Sequence, residues 1–111
     1  MNPRQLNRML KAHARWLDRR FWGKRACFSN RDLLGVDLSG ADLRNARFDL
    51  AVLRGANLSG ANLGDADLKY ANLKGADLTK ANLNYACLRG ANFHVASARE
   101  ANFAEADLTE A

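Results

Sequence analysis

The chain predicts an all-β coil with four flat sides, closed at one end by a short amphipathic helix. Three observations predict it. From Ala26 the sequence repeats every five residues, ACFSN-RDLLG-VDLSG-ADLRN-ARFDL-AVLRG and onward to ADLTE, for 17 pentads without an insertion. With the central residue of each pentad labelled i, position i−2 is Ala in 15 of 17 and i−1 is Asp or Asn in 12, while i is Leu in 12 and Phe in four. Six of the eight glycines fall at i+2.

A period of five matches neither helical amphipathicity, near 3.6, nor strand alternation, at two. A mixed unit matches. Three extended residues point i−2 inward, i−1 outward and i inward, and two more turn a corner, where a residue without Cβ is tolerated. Corners of about a right angle close one coil in four pentads, and the chain then climbs roughly 4.8 Å, one strand spacing. The repeat therefore makes about four coils.

Register by 20 sorts the interior into four columns. Phe28, Phe48, Leu68, Leu88 and Leu108 form the first, and Leu33, Leu53, Leu73 and Phe93 the second. Leu38, Leu58, Leu78 and Ala98 form the third, and Leu43, Leu63, Leu83 and Phe103 the fourth. The small Ala98 lies between pentads carrying Phe93 and Phe103, a volume compensation that a close-packed core requires.

Residues 1–25 form a separate unit, an amphipathic basic helix and connector ahead of the coil at 26–111. Over residues 3–22, Leu6, Met9, Leu10, His13, Trp16, Leu17 and Phe21 share one helical face, with Arg4, Arg8, Lys11, Arg15 and Arg19 opposite. Pro3 suits the first turn and Gly23 the stop. An open coil end exposes apolar interior and unpaired backbone, so the apolar face is expected to cap the first coil. Competing readings make the helix a tether to an anionic membrane or to nucleic acid, or an organelle presequence. Arg31, at an inward position, is expected to escape past the cap.

Formal net charge is +5, but it is divided unevenly. Residues 1–25 carry eight Lys/Arg against Asp18, whereas the repeat carries nine against eleven Asp/Glu. Cys27 and Cys87 fall on one side three coils apart, roughly 14 Å, too far for a disulfide. Unpaired cysteines favour a reducing compartment, and no apolar run is long enough for a membrane span, so a cytoplasmic protein is expected.

The A(D/N)Lxx pattern over residues 26–110 resembles the pentapeptide-repeat family. The resemblance implies a right-handed quadrilateral β-helix. It leaves function open, because members range from interaction modules to inhibitors of DNA-processing enzymes. Some members look like B-form DNA and occupy the clefts of type II topoisomerases.

Three outer surfaces are candidates for partners. The third and fourth sides carry Asp37, Asp42, Asp65, Asp77, Glu100 and Glu105 against Arg44, Lys80 and Arg99. Such rows of carboxylates could stand in for phosphates. An apolar patch gathers Leu34, Leu50, Val52 and Tyr70, of a kind that favours interface hot spots. The last coil leaves Leu88, Phe93, Phe103 and Leu108 to be covered, and a two-fold pair of copies would cover them.

No chemistry of catalysis is legible. His13 and His94 lie far apart without cysteines at metal-ligand spacing, and the glycines follow the repeat rather than cradle a phosphate. No enzyme activity, cofactor or metal is expected. The leading expectation is a non-enzymatic protein that mimics DNA to inhibit or protect a topoisomerase, nuclease or CRISPR-type defence complex, with no direct DNA binding by the repeat body. The alternatives are a generic scaffold acting through the apolar patch, or a tether acting through the helix.

Overall fold

A computed structural model describes all 111 residues, Met1–Ala111. Helix α1 spans Pro3–Leu17. Asn2 caps it by accepting the Gln5 N–H at 2.8 Å, and Pro3 sits in the first turn, where no N–H is needed. From Ala26 the chain winds through the pentads, and every bridge between coils joins residues 20 apart. Thirteen parallel bridges run through the i−1 positions, from Cys27 with Arg47 to Cys87 with Asp107. Each side adds one bridge per coil rather than a regular strand.

The hydrogen bonds explain the four-sided shape. The N–H of residue i donates to the i−1 carbonyl of the next coil, as Phe28 does to Arg47 at 2.7 Å. The N–H of i+2 follows, as Asn30 does to Asp49 at 3.0 Å. Each corner is closed by a bond from the next pentad's first N–H to the carbonyl of i, as between Arg31 and Phe28 at 3.0 Å. Every corner residue at i+2 has a positive φ, including Leu50 at 60° and Tyr70 at 57°. With i+1 in the ordinary region, these are type II turns.

Inside, 24 apolar side chains form one buried cluster. The interior columns are the ones the register predicts, and a buried Leu in them contributes about 1.5–3 kcal/mol. Phe28 and Phe48 stack with ring centroids 4.9 Å apart. Phe93 and Phe103, from the pentads on either side of that of Ala98, meet edge-on at 6.2 Å.

Leu6, Met9 and Leu10 of α1 pack against this cluster, so the helix lies over the first coil. His13, fully buried, ties the two together. Its Nδ1 accepts the Ala26 N–H at 2.9 Å, which leaves Nε2 to donate to the Arg44 carbonyl at 2.8 Å. Burial lowers its pKa and keeps the ring neutral.

The helix is shorter than its apolar face predicts. It stops at Leu17 because Arg19 turns left-handed (φ 55°), with Arg20 N–H bonded to the Arg15 carbonyl and Arg19 N–H to that of Trp16. That is a Schellman ending with an arginine where glycine is usual. Phe21 therefore leaves the apolar face and is 91% exposed. Gly23 is not the stop. The chain doubles back there so closely that a Cβ would lie 2.5 Å from the Trp16 nitrogen. Arg31 is exposed beside the cap. No helix is long and apolar enough to cross a membrane.

Candidate functional site

The outer sides are organised by one local bond. Each of the twelve Asp and Asn residues at i−1 accepts the N–H of residue i+1 through Oδ1, from Asp32 with Leu34 at 3.1 Å to Asp107 with Thr109 at 3.0 Å. This side-chain turn braces the corner that follows it. Amides at these positions can also ladder between coils. Such a bond occurs at Asn82 and Asn62, 3.1 Å apart, but the bond along the chain is the general one.

This bond bears directly on the acidic sides. Asp37 and Asp77 also accept the hydroxyls of Ser39 and Thr79, which hold their carboxyls below the ordinary range. Asp42 is bound by both ends of the Arg44 guanidinium, with the closer contact at 2.6 Å, and its pKa falls likewise. The third side presents Asp37, Asn57, Asp77 and Ser97 in line, and the fourth Asp42, Asn62, Asn82 and Asn102. Carboxylates on the third side are thus two coils apart, about 9.6 Å, and the fourth side has one. Asp65, Glu100 and Glu105 occupy corners with positive φ, and Glu100 lies 3.9 Å from Lys80.

The apolar patch lies on the opposite part of the surface. Leu50 and Tyr70 occupy the same corner in successive coils, 52% and 50% exposed. The Tyr70 ring lies over Gly90, where a Cβ would come within 2.4 Å of it. Val52 is half-buried on the adjoining side, bridged to Asp32. Leu34, exposed, shares that side and lines a groove with Met1, Pro3, Leu6 and Val36. Tyr85 and Val95 add two more exposed corners.

At the far end, Leu88 does not belong to the open surface. It is fully buried, because the pentad of Leu108 lies over it and takes its N–H through the Asp107 carbonyl at 2.8 Å. The open layer is Phe93, Ala98, Phe103 and Leu108, whose N–H groups reach no backbone acceptor.

Sequence reasoning missed the bracing role of i−1, although its residue types were the available signal. It also missed the display of Phe21 and Trp22, which follows from a helix ending without glycine. His13 was read only as part of an apolar face. Nowhere do three or more His, Cys, Asp or Glu side chains converge as metal ligands would.

Comparison with known proteins agrees with this architecture. A family model described as pentapeptide repeats matches in eight copies, over residues 24–60, 32–69, 56–94 and 86–111. Among solved structures, the chain is similar to the pentapeptide repeat protein Rfr23 of the cyanobacterium Cyanothece 51142, with 34% identity, a TM-score of 0.72, and 74% of this chain and 56% of that one covered. It is also similar to AT2G44920 of the Arabidopsis thaliana thylakoid lumen, at 38% identity and TM-score 0.69, over 70% of this chain and 54% of that one. A third, alr5209 of Nostoc PCC 7120, has 32% identity and TM-score 0.75, over 90% and 74% respectively. The chain spans just over half the length of the first two. No curated protein matches it in sequence. Pentads in unbroken register, coils of 20 residues and a repeat model spanning residues 24–111 lead to one conclusion: the chain belongs to the pentapeptide-repeat family.

Proposed function

We propose that the protein is a non-catalytic, right-handed scaffold that binds a protein partner through the corner of Leu50 and Tyr70 and the side of Leu34 and Val52. One observation carries the reading. Corners of this coil demand a left-handed backbone, and glycine meets that demand without strain at six of them. The other eleven corners carry a side chain in that region, and at residues 50 and 70, stacked in successive coils, it is a bulky apolar and an aromatic one, each half exposed. Neither the turn nor the interior requires those side chains. A partner that buries them would repay the strain, and Tyr is enriched among the residues that dominate interfaces.

Imitation of a duplex by the acidic sides is the second reading, favoured by the choice of Asp over Asn. Both residues make the same corner-bracing bond, so the charges at Asp37 and Asp77 are not demanded by the turn. Sparse carboxylates, and the neutralisation of Asp42 by Arg44, weigh against it. Pairing of two copies through Phe93, Phe103 and Leu108 belongs to either reading.

Photo-crosslinking in a native lysate separates the two. A crosslinking residue at Leu34 should trap a discrete partner, and one at Glu100 should not. The change Leu50→Gly should abolish partner capture while altering stability by less than about 1 kcal/mol, since relief of the left-handed strain offsets glycine's chain entropy. Adducts from Glu100 alone, lost on Asp37→Asn with Asp77→Asn, would overturn the apolar reading in favour of mimicry.

A further inference from the structure

We propose that the helix-bearing end of the molecule docks on an anionic lipid bilayer, with Phe21 and Trp22 inserting into it. The residues concerned are separate from the partner surface of Leu34, Leu50, Val52 and Tyr70, and the first of them lie in the turn after α1. Phe21 and Trp22 are 91% and 90% exposed. The turn that raises them holds two bulky residues, Arg19 and Trp22, in the left-handed region, at φ 55° and 66°. Rings this exposed stabilise little in the folded chain, yet they stand adjacent at its extremity.

Their surroundings are cationic. Arg4, Arg8, Lys11 and Arg15 lie exposed along α1, and Arg19, Arg20, Lys24 and Arg25 follow in the turn and the return. Asp18 is the sole acid among the first 25 residues, and none of these eight cations is held in an ion pair. Arg15, Arg19 and Arg20 line a shallow groove with the two rings. A second groove, between α1 and the first coil, is lined by Arg8, Lys24, Arg25 and Arg31. The end therefore presents unpaired cations, suited to headgroup phosphates, around a protruding apolar pair.

A polyanion in solution would find the same charge but not the same use for the rings. A platform for stacked bases rests one ring face on the protein and offers the other, as Tyr70 does over Gly90. At 90% exposure, both faces of Trp22 are free. An apolar phase solvates both faces at once, and indole suits the headgroup boundary. The apolar face of α1 is occupied by the coil, so insertion falls to the turn alone and stays shallow. A small apolar anchor combined with a polybasic patch supplies the two signals that stable peripheral binding needs.

The test uses the full chain and vesicles of phosphatidylcholine, either pure or with about 30% phosphatidylserine as the anionic component. The protein should co-sediment with the anionic vesicles and not with the pure ones. In a Trp16→Phe background, where Trp22 is the remaining tryptophan, its emission should shift to the blue on binding. Replacing both rings, Phe21→Ser with Trp22→Ser, should lower partitioning at least about tenfold. Arg20→Ser with Lys24→Ser should lower it about thirtyfold. Thermal unfolding should be unchanged in both double variants, since these side chains are exposed. Absence of sedimentation, equal binding to pure vesicles, or full binding by the double ring variant would overturn the proposal. So would quenching of Trp22 by a single-stranded oligonucleotide where anionic vesicles leave its emission unshifted; that outcome would assign the end to nucleic acid.

Discussion

The two ends of the coil are built from the same pentads and differ only in what lies against them. At the helix end Phe28 and Leu33 are buried beneath Leu6, Met9 and Leu10, and His13 occupies both an N–H and a carbonyl of the coil. At the other end Phe93 and Phe103 are half-buried, Leu108 is exposed, and a layer of N–H groups has no backbone acceptor. Leu88 and Leu108 make the point within one column: neighbouring pentads of one kind, one side chain fully buried and the next in solvent. In a stacked coil, then, burial belongs to the interface between layers rather than to the residue, and stability is a sum of such interfaces.

Substitutions at the two ends can break that comparison. Phe28→Ala should cost about 3–5 kcal/mol, whereas Phe103→Ala, in the open layer, should cost about 1 kcal/mol. Urea unfolding measures both, and equal losses would show that the ends are not distinguished by their covering. His13→Ala comes next, at about 2–3 kcal/mol, because it strands the buried Ala26 N–H and Arg44 carbonyl. Hydrogen exchange should show protection lost in the first coil and kept at Leu78 and Leu83.

Acidification sharpens the same contrast. The folded-state pKa of His13 is lowered from 6.5 by burial, so the unfolded chain binds its proton more readily. The stabilisation is complete above that ordinary value and is lost as pH falls through the lower, folded one. A protonated Nδ1 can no longer accept the Ala26 N–H. Stability should therefore decline on acidification from about pH 6.5, and His13→Gln should flatten that part of the profile. Smallest of all, Asp37→Asn and Asp77→Asn should each change stability by less than about 0.5 kcal/mol. Asn makes the same bracing bond at Asn57, and the lost charge is exposed at Asp37 and half-exposed at Asp77.

The interior was legible in the sequence because a strict period leaves it little freedom. Once four pentads close a coil, Leu63 must lie between Leu43 and Leu83, and no other information is needed. The cap was legible as an apolar face but not in its extent. Gly23 offered the expected stop, whereas Arg19 took the left-handed conformation four residues before it. An arginine there carries no sequence signal. His13 was illegible as a bridge for a different reason: its role depends on two backbone groups from segments 13 and 31 residues away. At i−1 the residue types were plain, but the bond they make was not. A bond two residues along the chain forms within one coil, whereas the ladder between coils needs an amide in both.

Each pentad is a quarter turn. Gaining or losing five residues in the coil would leave the interior columns filled by Ala, Leu and Phe, yet would swing everything beyond the change onto the neighbouring side. Inserted between Leu50 and Tyr70, such a pentad would part those two side chains onto different corners without disturbing the core. Only a change of 20 residues, the spacing of the bridges, would carry the decoration through unaltered. Length variation in this architecture is therefore a way of shuffling which side chains stand together, at little expense to the framework that presents them.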